Sequence, residues 1–150
     1  MMGLFGMFGG KKGGAVAEEG EMGPGMVNML AGMPGMMRKQ MMKGRLSQLL
    51  TLEEEKRQQT ILGMFASFHS DQVKDSNREK VIATRTEVIG DMKEEQRRSL
   101  MTSRIAALKQ RPELDEADQK VVEKVMPKVP EKARAAFIET LTALQKGSQN

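Results

Sequence analysis

Methionine is the residue type in this chain whose number and spacing most suggest chemistry. Eleven of its fifteen copies lie within the first 42 residues, and from Met22 onward they recur every three to four positions. A thioether side chain is unbranched and polarizable, so a row of methionines can adapt to apolar partners of varied shape. On a helix this spacing would form one stripe of five residues, namely Met26, Met29, Met33, Met37 and Met41.

We therefore predict that this segment binds another protein, through an apolar groove or helix of that protein, or a membrane surface. The predicted contact residues are Met26, Met29, Met33, Met36, Met37 and Met41. Two alternatives stay open. The methionines could complete the core of the domain, or their sulfurs could bind a soft metal such as Cu(I). The predicted copper ligands of that alternative are Met26, Met29, Met33, Met36 and Met37.

Two further groups of residues suggest contact with a membrane. Apolar side chains alternate with glycine at the N-terminus, where Leu4, Phe5 and Phe8 could enter the bilayer interface. Four cations follow the methionines without any acidic residue among them, and such a basic surface could meet anionic lipid headgroups. These cations are Arg38, Lys39, Lys43 and Arg45.

The residue types that most catalytic and structural metal sites require are scarce in this chain. It has no cysteine and a single histidine, His69, so thiol catalysis and zinc-finger sites are excluded. His69 lies at a predicted helix end, where a C-terminal cap accounts for it. No phosphate-binding loop, dinucleotide-binding glycine pattern or calcium-binding loop occurs. We therefore predict a protein that is not an enzyme.

Charge and hydropathy bear on which partners and which cellular location we expect. The formal net charge is only +4 and no Trp or Tyr is present, which speaks against a dense basic face or a base-stacking surface for nucleic acid. No apolar run reaches the length of a transmembrane helix, and no secretory signal is visible. The expectation is a cytoplasmic protein that could act at a membrane surface. Oligomerisation is left open.

Glycine content divides the chain into segments. Residues 1–36 are rich in Gly and Met, and glycine loses much backbone entropy when it becomes ordered. We predict a flexible arm over residues 1–36, a helical domain over residues 37–146 and a disordered tail over residues 147–150. After residue 37 good helix formers dominate, with apolar residues at helical spacing. Thr51, with Glu54 three residues later, is typical of a helix N-cap.

A repeated pattern defines the predicted architecture. Three helix starts share an apolar residue, a Glu two residues later and an Arg three residues after that. The arginines are Arg57, Arg97 and Arg134, which lie 40 and 37 residues apart. Glu in a first helical turn favours the helix dipole and can pair with the Arg that follows. A period of 37–40 residues predicts an all-α fold of about six helices in three stacked helical hairpins.

Two known families share parts of these patterns. Residues 29–37, with the basic helix that follows, resemble the methionine-rich part of the signal-recognition-particle M domain. The three Glu-x-x-Arg helix starts are similar in rhythm to the helical superhelix of MgtE-type cytosolic domains. The second resemblance implies a superhelix of short helices, and neither assigns a functional residue to this chain.

Overall fold

Only helices and turns occur in residues 23–148, the part of the chain that the computed structural model describes, and this confirms the all-α prediction. None of the helices in this part is long and apolar enough to cross a membrane. The elements are α1 (Pro24–Ala31), α2 (Gly35–Leu49), α3 (Glu54–Phe68), α4 (Asp75–Asp91), α5 (Glu94–Leu108), α6 (Pro112–Val125), a short 3-10 helix (Met126–Lys128) and α7 (Glu131–Ser148).

Helices that are two apart along the chain form most of the tertiary contacts. α2 packs on α4, α3 on α5, α4 on α6, and α5 on α7. The described part of the chain thus has seven α-helices that contact their second neighbours, where about six helices paired as adjacent hairpins are predicted. α4 is central, because it also contacts α1 and has its most extensive contact with α7.

An arginine at the fourth position of a helix joins that helix to the turn before it. Arg57 of α3 shows the geometry. Its Nε donates to the carbonyl of Leu49 (2.9 Å), and its Nη2 donates to the carbonyls of Leu50 (3.2 Å) and Leu52 (3.0 Å). The last carbonyls of a helix have no partner within that helix, so the guanidinium replaces a conventional C-cap. The same position is occupied in five helices, by Arg38, Arg57, Arg78, Arg97 and Arg134.

These five arginines correct the predicted repeat. Arg38, Arg57, Arg78 and Arg97 follow one another at intervals of 19, 21 and 19 residues, so the repeating unit is one helix with its turn rather than a pair of helices. The gap of 37 residues before Arg134 arises because α6 carries Asp115 at its fourth position. The expected ion pair within the repeat is present in α3, where Arg57 lies 3.4 Å from Glu54.

The predicted N-cap at Thr51 is wrong. α3 begins at Glu54 with Glu53 as its N-cap residue, and no side chain caps it. The Thr51 hydroxyl instead donates to the carbonyl of Gln48 at 2.7 Å. Thr51 therefore serves the end of α2, while Arg57 fixes the turn.

The structure also corrects the predicted domain bounds. Residues 24–31 form α1 although they belong to the segment predicted as a flexible arm, and Val27, Leu30 and Ala31 are buried. Packing of these three side chains stabilises a helix that the neighbouring glycines would disfavour. At the other end α7 continues to Ser148, beyond the predicted end at residue 146. Residues 1–22 and 149–150 lie outside the described residues.

The closest backbone approach at a glycine joins α4 to α7. A Cβ atom at Gly90 would lie 2.8 Å from the Cα of Ala133 and nearer still to its carbonyl group. Both residues are buried. Only a residue without a side chain lets the end of α4 meet the start of α7 in this way.

We expect Gly90→Ala to lower the free energy of unfolding by about 1–3 kcal/mol, because the backbone of Ala133 must move to admit the new methyl group. Gly63→Ala in α3 is the matched control, since nothing lies within 4 Å of its would-be Cβ. That change should raise stability by about 0.5–1 kcal/mol. Urea denaturation followed by circular dichroism measures both, and equal effects would contradict the close approach.

The arginine turns make a second prediction. Arg97 donates to the carbonyls of Met92 (2.7 Å) and Gly90 (3.3 Å) and to the Thr140 hydroxyl (2.8 Å). Arg97→Ala should therefore destabilise the protein by about 2–3 kcal/mol, because buried acceptors lose a charged donor. Arg98→Ala is the control, since Arg98 is exposed. The same urea titration would refute the role of Arg97 if both variants unfolded at one midpoint.

Candidate functional site

Four of the predicted contact residues lie on the surface of α1 and α2. The exposed fractions are 50% for Met29, 76% for Met36, 51% for Met37 and 37% for Met41. Met37 and Met41 are four residues apart on α2, so they lie on one side of that helix. We call these four residues the exposed methionines.

The other methionines of this segment pack inward. Met26 and Met33 are partly buried against the core, and Met42 is fully buried. Met42 belongs with Leu46 and Leu49 to the face of α2 that is buried in the fold. Two of the six predicted contact residues therefore contribute mainly to packing, which matches the core-filling alternative for those two only.

The four predicted basic residues have different roles. Arg38 is tied to the α1–α2 turn, because its Nη1 donates to the Met33 carbonyl at 2.8 Å. Lys39 pairs with Glu87 (2.8 Å) and Asp91 (3.4 Å), and the hydrogen bond to Glu87 raises the pKa of the Lys39 ammonium group.

Lys43 and Arg45 remain available to a partner. The structure gives neither of them a hydrogen bond or an ion pair within residues 23–148. Lys43 lines a groove of about 500 Å³ between α2 and the α4–α5 corner, together with Lys39 and Lys93. No acidic residue occurs from residue 22 to residue 52, so α1 and α2 themselves contribute only positive charge to this surface.

The remaining predictions concern the apolar residues of the N-terminus and the copper ligands. Leu4, Phe5 and Phe8 lie outside the described residues. The predicted copper ligands are divided, since Met26 and Met33 are partly buried while Met29, Met36 and Met37 are exposed. Within residues 23–148 no group of three His, Asp or Glu side chains is placed to hold a metal ion.

A cluster of charged side chains lies in the core, and the sequence analysis did not predict it. Asp118 of α6 is fully buried, and Arg85 of α4 donates to both of its carboxylate oxygens, at 3.0 and 2.6 Å. Arg104 of α5 donates to the same carboxylate at 3.0 Å. The Nε2 atom of His69 lies 2.8 Å from Asp118 Oδ1. His69 is the C-cap residue of α3, as predicted, and its ring adds a fourth element to the cluster.

Phenylalanine rings enclose the two arginines of this cluster. The guanidinium carbon of Arg85 lies 4.9 Å from the centre of the Phe65 ring and 5.3 Å from that of Phe68. Arg104 lies 5.5 Å from the Phe65 ring and 6.0 Å from the Phe137 ring. Aromatic faces attract cations, so the rings stabilise charges that have left water.

Opposing effects set the charge state of Asp118. Burial raises the pKa of the Asp118 carboxyl, but the positive charges of Arg85 and Arg104 and the hydrogen bond from His69 lower it further than burial raises it. The pKa therefore lies well below its usual value, and the carboxylate is ionised at neutral pH. Burial also lowers the pKa of Arg104, which the charge of Asp118 opposes.

The sequence did carry a signal for this cluster. Arg85 shares the apolar spacing of Val81 and Val88, and Asp118 shares that of Leu114 and Val122. A charge at a stripe position has to be paired when the stripe is buried. The contacts of the Asp118 carboxylate with Arg85, Arg104 and His69 join α4, α5, α6 and the end of α3.

One side of the cluster meets the surface. A groove of about 550 Å³ lies between α5, α6 and α7, and Arg104 is part of its lining. The other lining residues are Ile105, Leu108, Lys109, Pro112, Asp115, Gln119, Leu141 and Gln145.

Comparison with known proteins gives no match to a family model, a curated protein or a solved structure.

The buried carboxylate makes stability depend on pH. Since folding lowers the pKa of Asp118, the unfolded chain takes up a proton at this group, below about pH 4, that the folded chain does not. The stabilisation by Asp118 is thus complete above about pH 4 and is lost as the pH falls below it. Asp118→Asn should cost about 3–5 kcal/mol at pH 7, because it leaves Arg85 buried without its counterion.

Chemical denaturation between pH 7 and pH 2.5 tests this dependence. The difference between the parent protein and Asp118→Asn should shrink toward low pH. The exposed Asp71 provides the control, and Asp71→Asn should differ little from the parent at any pH. A constant gap for Asp118→Asn across the range would contradict an ionised, stabilising carboxylate.

Proposed function

We propose that this protein is a non-catalytic interaction protein whose exposed methionines bind an amphipathic helix of another protein. The observation that carries the proposal is the large exposed fraction of Met29, Met36, Met37 and Met41 on helices whose opposite faces are buried in the fold. Large apolar side chains at the surface of a folded domain indicate a binding surface when they are grouped in one part of it.

The chemistry of the surface indicates the kind of helix. Met is typical of protein surfaces that accept apolar faces of varied shape, whereas interfacial membrane helices rely on Trp, Phe and Leu. Lys43 and Arg45 add positive charge at α2, a helix that contains no acidic residue of its own. We therefore expect the partner helix to combine an apolar stripe with acidic residues beside it.

The double variant Met37→Ser/Met41→Ser should weaken partner binding roughly thirtyfold. About half of each side chain is already buried, so docking of each methionine adds about 1 kcal/mol. A photo-crosslinking amino acid at Met36, in the full chain expressed in cells, identifies the partner. Titration of the purified partner then measures the affinities of the parent and variant proteins.

Ile138→Ser is the matched control, since Ile138 is 44% exposed on α7, a helix whose main contacts are with α4 and α5. It should leave the affinity unchanged. Flotation with vesicles that contain anionic lipid is the second arm of the experiment. If Met37→Ser/Met41→Ser abolished flotation while no protein was crosslinked at Met36, the partner would be a membrane and the protein-helix proposal would be wrong.

Copper binding is the alternative function, and three of its five predicted ligands, Met29, Met36 and Met37, are exposed. Thioether sulfurs suit Cu(I). Replacing the exposed methionines by leucine separates the two functions, because leucine keeps the apolar surface and removes sulfur. A docking surface should tolerate that change, whereas a copper site should lose stoichiometric Cu(I) binding under reducing conditions.

A further inference from the structure

We infer that the groove between α5, α6 and α7 binds a small amphiphilic carboxylate, with Arg104 as the cation that receives the carboxylate and the apolar wall of the groove covering the alkyl chain. This site lies on different helices from the exposed methionines and does not depend on the proposed docking function.

The buried cluster holds Arg104 in place but engages only one of its guanidinium nitrogens. Its Nη2 donates to Asp118 at 3.0 Å, and its side chain is about 91% buried. In residues 23–148 no fully buried side-chain nitrogen lacks a hydrogen-bond partner. The nitrogens of Arg104 without a partner are therefore not fully buried, and the groove that this residue lines can give a ligand access to them. An arginine fixed by one carboxylate and by two aromatic rings is prepared to bind an anion with little loss of entropy.

The charge balance of the region favours a single negative charge. Apart from His69, the cluster and the groove lining carry the three cationic side chains of Arg85, Arg104 and Lys109 and the two carboxylates of Asp115 and Asp118. Arg85 engages both oxygens of Asp118, so Arg104 shares a carboxylate that is already paired. A ligand with one carboxylate would neutralise the excess of one positive charge and would make charge-assisted hydrogen bonds in a partly desolvated place.

The remaining lining explains why the ligand should be amphiphilic. Ile105 and Leu141 are partly buried apolar walls, and Leu108 lies beneath them. Gln119 and Gln145 lie at the groove as neutral polar groups. A volume of about 550 Å³ is within the range of small-molecule sites. A hydrophilic anion such as phosphate would leave the apolar walls without contacts.

Octanoate is the probe, and its uncharged relative octanamide is the comparison. Two-dimensional NMR of the full-length protein should show octanoate binding at one site, with shifts at Ile105 and Leu141. Octanoate should bind at least about tenfold more tightly than octanamide, because only the carboxylate makes charge-assisted hydrogen bonds to Arg104. Absence of octanoate binding, equal affinity for both compounds or tighter binding of octylamine would overturn the inference.

Two variants at the groove test where octanoate binds, and only the second leaves the core unchanged. Arg104→Gln should abolish the preference for octanoate, but it removes a core charge and could prevent folding. Gln119→Glu keeps the fold, since Gln119 is exposed and bonds only to Asp115. It should weaken octanoate about tenfold and leave octanamide unchanged. Gln40→Glu makes the same charge change at an exposed position of α2. If it weakened octanoate binding as much as Gln119→Glu, the effect would be general electrostatics and the proposed site would be wrong.

Discussion

The last carbonyl groups of a helix have no hydrogen-bond donor within that helix. In this protein an arginine of the following helix donates to them. The guanidinium of Arg57 reaches carbonyls of residues five, seven and eight positions before it, and these bonds hold the start of α3 against the end of α2. The same contact to the carbonyl five residues earlier is made by Arg38, Arg78 and Arg97. Each of these arginines therefore fixes the start of its helix against the turn before it, although the linkers between the helices differ in length. Most tertiary contacts join helices that are two apart along the chain, and the central helix α4 also contacts α1 and α7.

The sequence predicts the helices well because their apolar spacing is regular. Met42, Leu46 and Leu49, and likewise Ile61, Phe65 and Phe68, are buried as their periodicity indicates. The predicted repeat is too long because its pattern includes a Glu three residues before each Arg. Arg38 has Gly35 at that position, so it does not fit the pattern. Residues 24–31 were predicted to be flexible because glycine disfavours a helix. They form α1 because burial of Val27 and Leu30 outweighs that local preference. The partners of buried charges depend on which helices meet, which a single sequence does not specify, and so Asp118 was missed.

The exposed methionines and the groove beside Arg104 differ in whether they contain a fixed polar group. The exposed methionines carry no fixed polar group among them, so they can accept apolar faces of varied shape but discriminate little between them. The groove beside Arg104 is defined by one charge that Asp118, Phe65 and Phe137 hold in place. Such an arrangement favours one kind of ligand, because the cation cannot move to suit another. The two proposed sites therefore differ in one physical respect, since only the groove between α5, α6 and α7 contains a rigid buried charge.

The contact between Gly90 and Ala133 bears on the order in which the chain can assemble. The two residues are 43 positions apart, yet they join the central helix to the last one. During synthesis α4 leaves the ribosome well before α7, and until α7 arrives the side of α4 that it covers stays uncovered. Local turns can form early because each arginine reaches back only a few residues, but closure of the core awaits the final helix. A chain that stopped short of α7 would have its corners in place around an open centre, and this is a state that chaperones and proteases recognise.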